Sequence, residues 1–243
     1  MRFNKTSNPA FNDYFWKNDT RSTEKMSVRG IILKSLFSIL IIACLAVYVW
    51  NLYTSGTDIS WYVTGGMVSA LVISIVISVR TQWAKFLVPL YAIAKGLFLG
   101  GINSYAHARF PDLPFQAIGV TIVTFFVMLI LYQTRIIIVT KKLRSVIIAA
   151  SLSIFVIYMI SWILSFFGIQ TFIWGTSWLA IVFNVLAAIF ASLALLLDFD
   201  YIESHKNKAP KDKEWLATWG LLVTLVWLYV EILRLMRKLA IRF

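Results

Sequence analysis

The chain has 243 residues, of which 60% are hydrophobic and 14% charged, and its formal net charge is +12. That composition excludes an ordinary soluble domain and is typical of a polytopic membrane protein. The excess of bases would suggest nucleic acid in a soluble protein, but here Lys and Arg collect between apolar segments, where membrane orientation accounts for them and no nucleic-acid partner is expected.

Residues 1–29 read as a cytoplasmic N-terminal tail. Arg2, Lys5, Asn12, Asp13, Lys17, Asp19, Arg21, Glu24, Lys25 and Arg29 leave no apolar core before Ile31, so a cleaved secretory signal is not expected. Within the tail, Tyr14–Phe15–Trp16 suits an interfacial lead-in to the membrane. A span takes about 20 mostly apolar residues, and seven segments come close: 30–53, 61–79, 86–106, 114–133, 145–168, 174–197 and 215–236. The expected fold class is therefore an all-α membrane protein, a seven-transmembrane-helix bundle over residues 30–236, followed by a short basic tail at 237–243. Helices are the economical solution because each satisfies its own backbone in lipid.

The bases give the orientation. The N-terminal tail, Arg80 and Lys85, Arg135 to Arg144, and Lys206 to Lys213 fall on one side, whereas the alternate loops offer only Arg109. The N terminus is thus expected in the cytoplasm. Arg237, Lys238 and Arg242 oppose this count, since seven crossings carry them outside. Either the last helix crosses fully with its basic tail, or the final segments form a re-entrant pair; the full crossing is favoured.

The single cysteine, Cys44, falls inside the first apolar run, and the two histidines, His107 and His205, stand in separate loop-like contexts, so no disulfide or transition-metal site is expected. Trp50, Trp61, Trp83, Trp174, Trp178 and Trp215 fall near span ends as an aromatic belt. Gly96 and Gly100 make a GxxxG spacing that suits close helix packing within the bundle.

Ionisable residues within spans carry the functional reading. The sixth span runs into Asp198, Asp200 and Glu203, and the seventh holds Glu231, roughly 25 Å along its helix at the standard rise. Loop lysines cannot reach so far, and the available cations are Lys95 in the third span, Arg80 at the end of the second, and Arg234 one turn after Glu231. Such acids can sense pH, pass protons, or hold a cation between their oxygens, calcium being suited to carboxylates. No phosphate loop, histidine pair or serine–histidine–acid set is present, so an enzyme is not expected.

The run Leu197–Asp198–Phe199–Asp200–Tyr201–Ile202–Glu203, then Ala209–Pro210–Lys211, Glu214–Trp215 and Gly220 to Leu235, resembles the bacterial branch of the Bax inhibitor 1 family. Ser7–Asn8–Pro9–Ala10, Pro89–Leu90–Tyr91–Ala92, Gly96 to Gly100 and Met128 to Tyr132 agree with it. The resemblance implies a seven-helix bundle of the bacterial inner membrane with the last helix near its centre. It also implies a pH-responsive calcium leak controlled by acids on the sixth and seventh helices. Residue by residue, Asp198 matches the sixth-helix acid, Glu231 the seventh-helix acid, and Arg80 a second-helix arginine that latches to them. Three departures stand out. Ala94–Lys95–Gly96 places a base where relatives have an acid, the acid of the seventh helix is Glu rather than Asp, and the segment between the two acids is longer. Counted inward from the Lys206–Lys213 loop, Asp198 falls about 12 Å deep and Glu231 more than about 20 Å, so their direct contact is not implied.

The expectation is a cation leak in which Asp198, Asp200 and Glu231 form a protonation-sensitive cluster. Arg80, Lys95 and Arg234 are its ion-pair or gate residues, and calcium is the transported ion held by Asp198 and Glu231. Lys95 is a tethered cation that can occupy the acidic site. No resident cofactor is expected, and the partners are the lipid bilayer with calcium or protons. The alternative is a regulatory or quality-control protein that binds other membrane proteins or a membrane protease through its N-terminal tail.

Overall fold

The computed structural model describes residues 24–242. The expectations placed on residues 1–23, the aromatic lead-in and the Ser7–Ala10 stretch, lie outside the described residues. The described residues hold seven long helices: α1 (Val28–Thr54), α2 (Ser60–Val79), α3 (Ala84–Arg109), α4 (Leu113–Gln133), α5 (Lys141–Phe166), α6 (Trp178–His205) and α7 (Lys213–Arg242). All seven are long and apolar enough to cross a membrane, so the chain is a multi-pass, all-α membrane protein.

Helix starts are set by side-chain caps. Ser27 accepts from the Gly30 N–H before α1, and Thr140 accepts from the Leu143 N–H before α5. The last two helices overrun the apolar windows read from sequence. The α6 helix continues through Asp198 and Asp200 to His205, and α7 runs from Lys213 to Arg242. Hydropathy ends where charge begins, but the backbone ladder does not, because Glu, Lys and Arg are good helix formers. At the other end α6 begins later than expected. Residues Phe172–Trp174 form a 3-10 turn, and the Ser177 hydroxyl accepts the Ala180 N–H to start the helix.

The chain forms two compact units, and α6 and α7 contribute to both. The first holds the described residues up to Pro111 together with Ile202–Leu222. Its helices meet through glycines. A Cβ on Gly96 would sit 2.7 Å from Leu45 Cβ, and one on Gly100 would sit 2.8 Å from the Ala46 backbone, so α1 and α3 approach too closely for any side chain there. Gly66 gives α2 the same approach to α3, with Ala94 O at 2.7 Å. This is the packing expected of the GxxxG spacing, since lipid leaves close van der Waals fit as a main driving force between helices.

In the same unit, the chain before α1 is tied to the α6–α7 loop. Met26 N–H donates to Ala209 O at 2.8 Å, Asn207 N–H to Met26 O at 3.0 Å, and Lys211 N–H to Glu24 O at 2.9 Å.

The second unit holds Asp112–Tyr201 and the chain from Val223 onward. Its buried cluster is Ile147, Ala194 and Leu197, with Leu143, Ile148 and Trp227 packed against it. The Phe199 ring meets Phe125 at 5.5 Å. The α7 helix is the most enclosed of the seven, with 78% of its apolar window buried against 50% for α3 and α6 and at most 22% for the other four. Large apolar side chains such as Leu33, Leu36 and Leu40 of α1 are more than half exposed, which suits a surface facing lipid.

The end of α7 favours the full crossing over a re-entrant pair. Lys238 is 3% exposed, and its ammonium donates to Ile173 O at 2.6 Å and Ala180 O at 3.3 Å. Arg242 donates to Thr176 O at 3.1 Å and stacks over Trp178. The α7 helix runs unbroken from the α6–α7 loop to the α5–α6 connection and is long and apolar enough to cross a membrane. Lys238 and Arg242 are bound to carbonyls there, which explains their presence at an end where a count of loop charges disfavours them.

Candidate functional site

Glu231 stands on α7 in the second unit and is 1% exposed. A carboxylate so enclosed needs hydrogen-bond donors, and three helices supply them. From α5 the Tyr158 hydroxyl donates to Oε2 at 2.8 Å, and from α6 the Asn184 amide donates to the same oxygen at 2.9 Å. From α7 itself the Trp227 indole N–H donates to Oε1 at 3.2 Å. The nearest cation is Arg234, with Nη1 at 3.7 Å from Oε1, as the spacing along the helix suggested. Arg234 in turn stacks over the Tyr158 ring at 4.6 Å and the Trp174 ring at 5.6 Å. Neutral donors make the close contacts, and the charge stands slightly further off.

Asp198 is also 1% exposed, on α6 in the same unit. Its neighbour Asp200 pairs with Arg144 at the start of α5, where the two side chains are 29% and 15% exposed. Neither lies at the level of Glu231. The Glu231 carboxylate touches Asn184, and Asp198 follows Asn184 by fourteen residues on one unbroken helix. That places about 21 Å of helix between the two levels.

The structure thus corrects the assignment of one calcium ion to both carboxylates and the grouping of all three acids into one cluster. The reason is register. Asp198 lies seven residues before the end of α6, whereas Glu231 lies eighteen after the start of α7, and an equal count into α7 reaches Gly220. Among the described residues no three His, Cys, Asp or Glu side chains converge to hold a metal.

The remaining predicted residues belong to the first unit. Arg80 is exposed at the C-terminal end of α2, where the backbone turns into the Thr81–Trp83 turn. Lys95 is half-buried on α3, with its ammonium over the rings of Tyr91 and Phe98, both at 5.5 Å and both on its own helix.

The first unit also holds a buried acid that the sequence reading did not single out. Glu214, 1% exposed in the first turn of α7, accepts from Ser27 N–H at 2.9 Å and Ser27 Oγ at 3.0 Å, and it pairs with Lys34. It fills the anion position at the N terminus of α1. Gly30 makes this possible, because a Cβ there would overlap the Glu214 carboxylate.

The model for Bax inhibitor 1 like proteins matches residues 8–241 of this chain. The protein belongs to that family. No curated protein matches it.

In this Bax inhibitor 1 family member, Glu231 is an enclosed carboxylate that ties α5, α6 and α7 together through neutral donors. Tyr158, Asn184 and Arg144 escaped the sequence reading. Tyr158 is the one tyrosine and Asn184 the one side-chain amide in their apolar spans, which is itself a signal, because an amide inside the membrane needs a partner. Arg144 was legible only as a loop base; the continuation of α6 past its apolar run brings Asp200 to it.

Proposed function

We propose that this protein is a proton-responsive cation leak of the bacterial inner membrane, with its N terminus in the cytoplasm and calcium as the transported cation. The observation that supports this reading is the enclosure of Glu231 by Tyr158, Asn184 and Trp227, with Arg234 at 3.7 Å. Protonation removes the charge that these donors and Arg234 are arranged around. The contacts that hold α5 and α6 to α7 weaken together, and a packed helix set with two arrangements opens a path between them. Asp198 and the Asp200–Arg144 pair form a second charged level, where a passing cation meets carboxylate oxygens. The reading is non-enzymatic.

The test is calcium and proton flux in proteoliposomes across pH, with Glu231→Gln and Asp198→Asn beside the native protein. The expected result is acid-stimulated calcium flux in the native protein that is lost in Glu231→Gln. Flux no greater than in protein-free vesicles at every pH would overturn the reading.

One observation favours a second role. Glu24 and Met26, at the end of the N-terminal tail, are hydrogen-bonded to the α6–α7 loop. A partner protein or membrane protease that grips the tail would pull on the start of α7. Deletion of residues 1–23 then produces the phenotype, while the acid-to-amide variants leave it unchanged.

A further inference from the structure

We propose that Glu231 exchanges its proton with the side of the membrane that carries the α5–α6 connection, and not with the side of Asp198 and Asp200. This deepens the proposed function and rests on its reading of Glu231 as the group that titrates. It does not depend on which ion flows, or on whether one does.

Position along the helices comes first. Asn184 is six residues from the α5–α6 end of α6, Tyr158 is eight residues from that end of α5, and Glu231 is eleven from the end of α7. These separations correspond to about 9, 12 and 17 Å of helix. In the other direction Asn184 is twenty-one residues from His205, about 32 Å.

What lines each direction comes second. Toward the α5–α6 connection, α7 presents Arg234, Lys238 and Arg242 at spacings of three, four and four from Glu231 and from one another, which is one stripe of the helix. Arg234 is 28% exposed, Lys238 is bound to the Ile173 and Ala180 carbonyls, and Arg242 is bound to Thr176 O. Polar groups therefore run from Glu231 to the helix end. Toward Asp198 the packing is mainly apolar, with the buried hydroxyls of Ser151, Ser192 and Thr224 on α5, α6 and α7 and, among the described residues, no charged group until Asp198 and the Asp200–Arg144 pair. Ile147, Ala194 and Leu197 are buried together, and Trp227 packs against them while its indole N–H holds Glu231. The cluster lies between the two charged levels.

The third observation is an acceptor without a donor. Asn184 is fully buried, its amide nitrogen serves Glu231 at 2.9 Å and the Tyr158 oxygen at 3.1 Å, and its Oδ1 has no hydrogen-bond partner among the described residues. That arrangement suits the ionised carboxylate. A half-turn of the amide would offer Oδ1 to the hydroxyl of a protonated Glu231, so the site holds in reserve the acceptor that the proton requires. The proton comes from water and goes to a Glu231 carboxylate oxygen, with Arg234 staying charged. Among the described residues, the titratable or charged groups facing this site are Tyr158 from α5, and Arg234 and, further along, Lys238 from α7; Asn184 from α6 is uncharged.

The experiment uses the full chain reconstituted in vesicles of a single orientation. An impermeant maleimide on Ile169→Cys in a Cys44→Ser background identifies the side that carries the α5–α6 connection. The carboxylic-acid carbonyl stretch of Glu231 is followed by infrared difference spectroscopy. It is assigned by its loss in Glu231→Gln and, should that variant fail to fold, by its displacement in Glu231→Asp. The pH is changed on one side at a time with the other clamped, and calcium flux is read in the same vesicles.

The expected result is a band that follows the pH of the α5–α6 side and ignores the other. A band that follows the Asp198 side, that follows both sides equally, or that is absent from about pH 4 to 8, a range wide enough for a buried carboxyl, overturns the proposal. A sided band without flux overturns the leak and leaves this inference standing, whereas flux without a sided band does the reverse.

Discussion

Asn184 and Glu231 are joined at 2.9 Å across α6 and α7, and neither is exposed by more than 1%. Their contact fixes the level of Glu231 on α6 and so separates it from Asp198. Replacing Asn184 with Leu leaves the carboxylate with two neutral donors in an enclosed site. A buried polar group left short of partners costs about 1–3 kcal/mol, more when charged. Asn184→Leu should therefore lower the thermal unfolding midpoint in detergent, and Asn184→Leu combined with Glu231→Gln should recover part of the loss. A double variant no better than the single one would show that the two residues are not coupled.

Tyr158 serves two masters, donating to Glu231 at 2.8 Å and presenting its ring to Arg234 at 4.6 Å. Phe keeps the ring and removes the hydroxyl. Tyr158→Phe removes the bond to Glu231 and the acceptor of the Asn184 amide and should destabilise by about 1.5–3 kcal/mol, the range for a hydrogen bond to a charged group; Tyr158→Ala should cost more, because the guanidinium also loses the face it stacks on. Equal losses in equilibrium unfolding would mean that the ring carries none of the stability.

How much of this was legible before the structure depends on the kind of signal. The seven spans were, because apolar length is a one-dimensional property. Arg234 was, because a helical neighbour three residues away needs only the helix period. Tyr158 and Asn184 were not recognised as partners of Glu231, from which they stand 73 and 47 residues away in sequence, and pairing across helices depends on tilt and register. The same limit allowed Asp198 and Glu231 to be placed in one site. Lys238 was legible as a charge, but a count of bases does not reveal that its ammonium binds the carbonyls of Ile173 and Ala180.

That finding predicts a topology. With α7 crossing fully and its end tied to the α5–α6 connection, reporter tags on the N and C termini should mark opposite sides of the membrane. Removing the three terminal bases together (Arg237→Gln, Lys238→Met and Arg242→Gln) should lower stability without moving the C-terminal tag. A C-terminal tag on the same side as the N-terminal one would contradict the crossing.

Gly30 makes room for a carboxylate in the first unit. The Glu214 carboxylate occupies the space of its missing Cβ while accepting from Ser27 and pairing with Lys34. Gly30→Ala should push that carboxylate, the movable end of a side chain, away from Ser27, at a cost of about 1–3 kcal/mol for a buried group left short of partners. Gly65, which faces open space, is the control, and Gly65→Ala should be neutral or slightly stabilising. Similar unfolding midpoints for the two variants would remove the special role of Gly30.

The first turn of α2 should loosen at low pH. Asp58, in the connection before it, accepts from the Ser60 hydroxyl at 2.7 Å and the Ser60 N–H at 2.9 Å, and these bonds hold its carboxyl below the usual carboxylate range. For an acid with a depressed folded value, the contribution is present above the unfolded value and lost as pH falls through the folded one. Protection of the first turn of α2, read by hydrogen exchange corrected for its intrinsic pH dependence, should be flat from neutral pH down to the usual carboxylate range and fall below it. Asp58→Ala should show the unprotected rate throughout. Because the Asp58 carboxylate is exposed and its partner Ser60 is local, the change should stay confined to that turn; acid exposure of the whole helix would point to a different group.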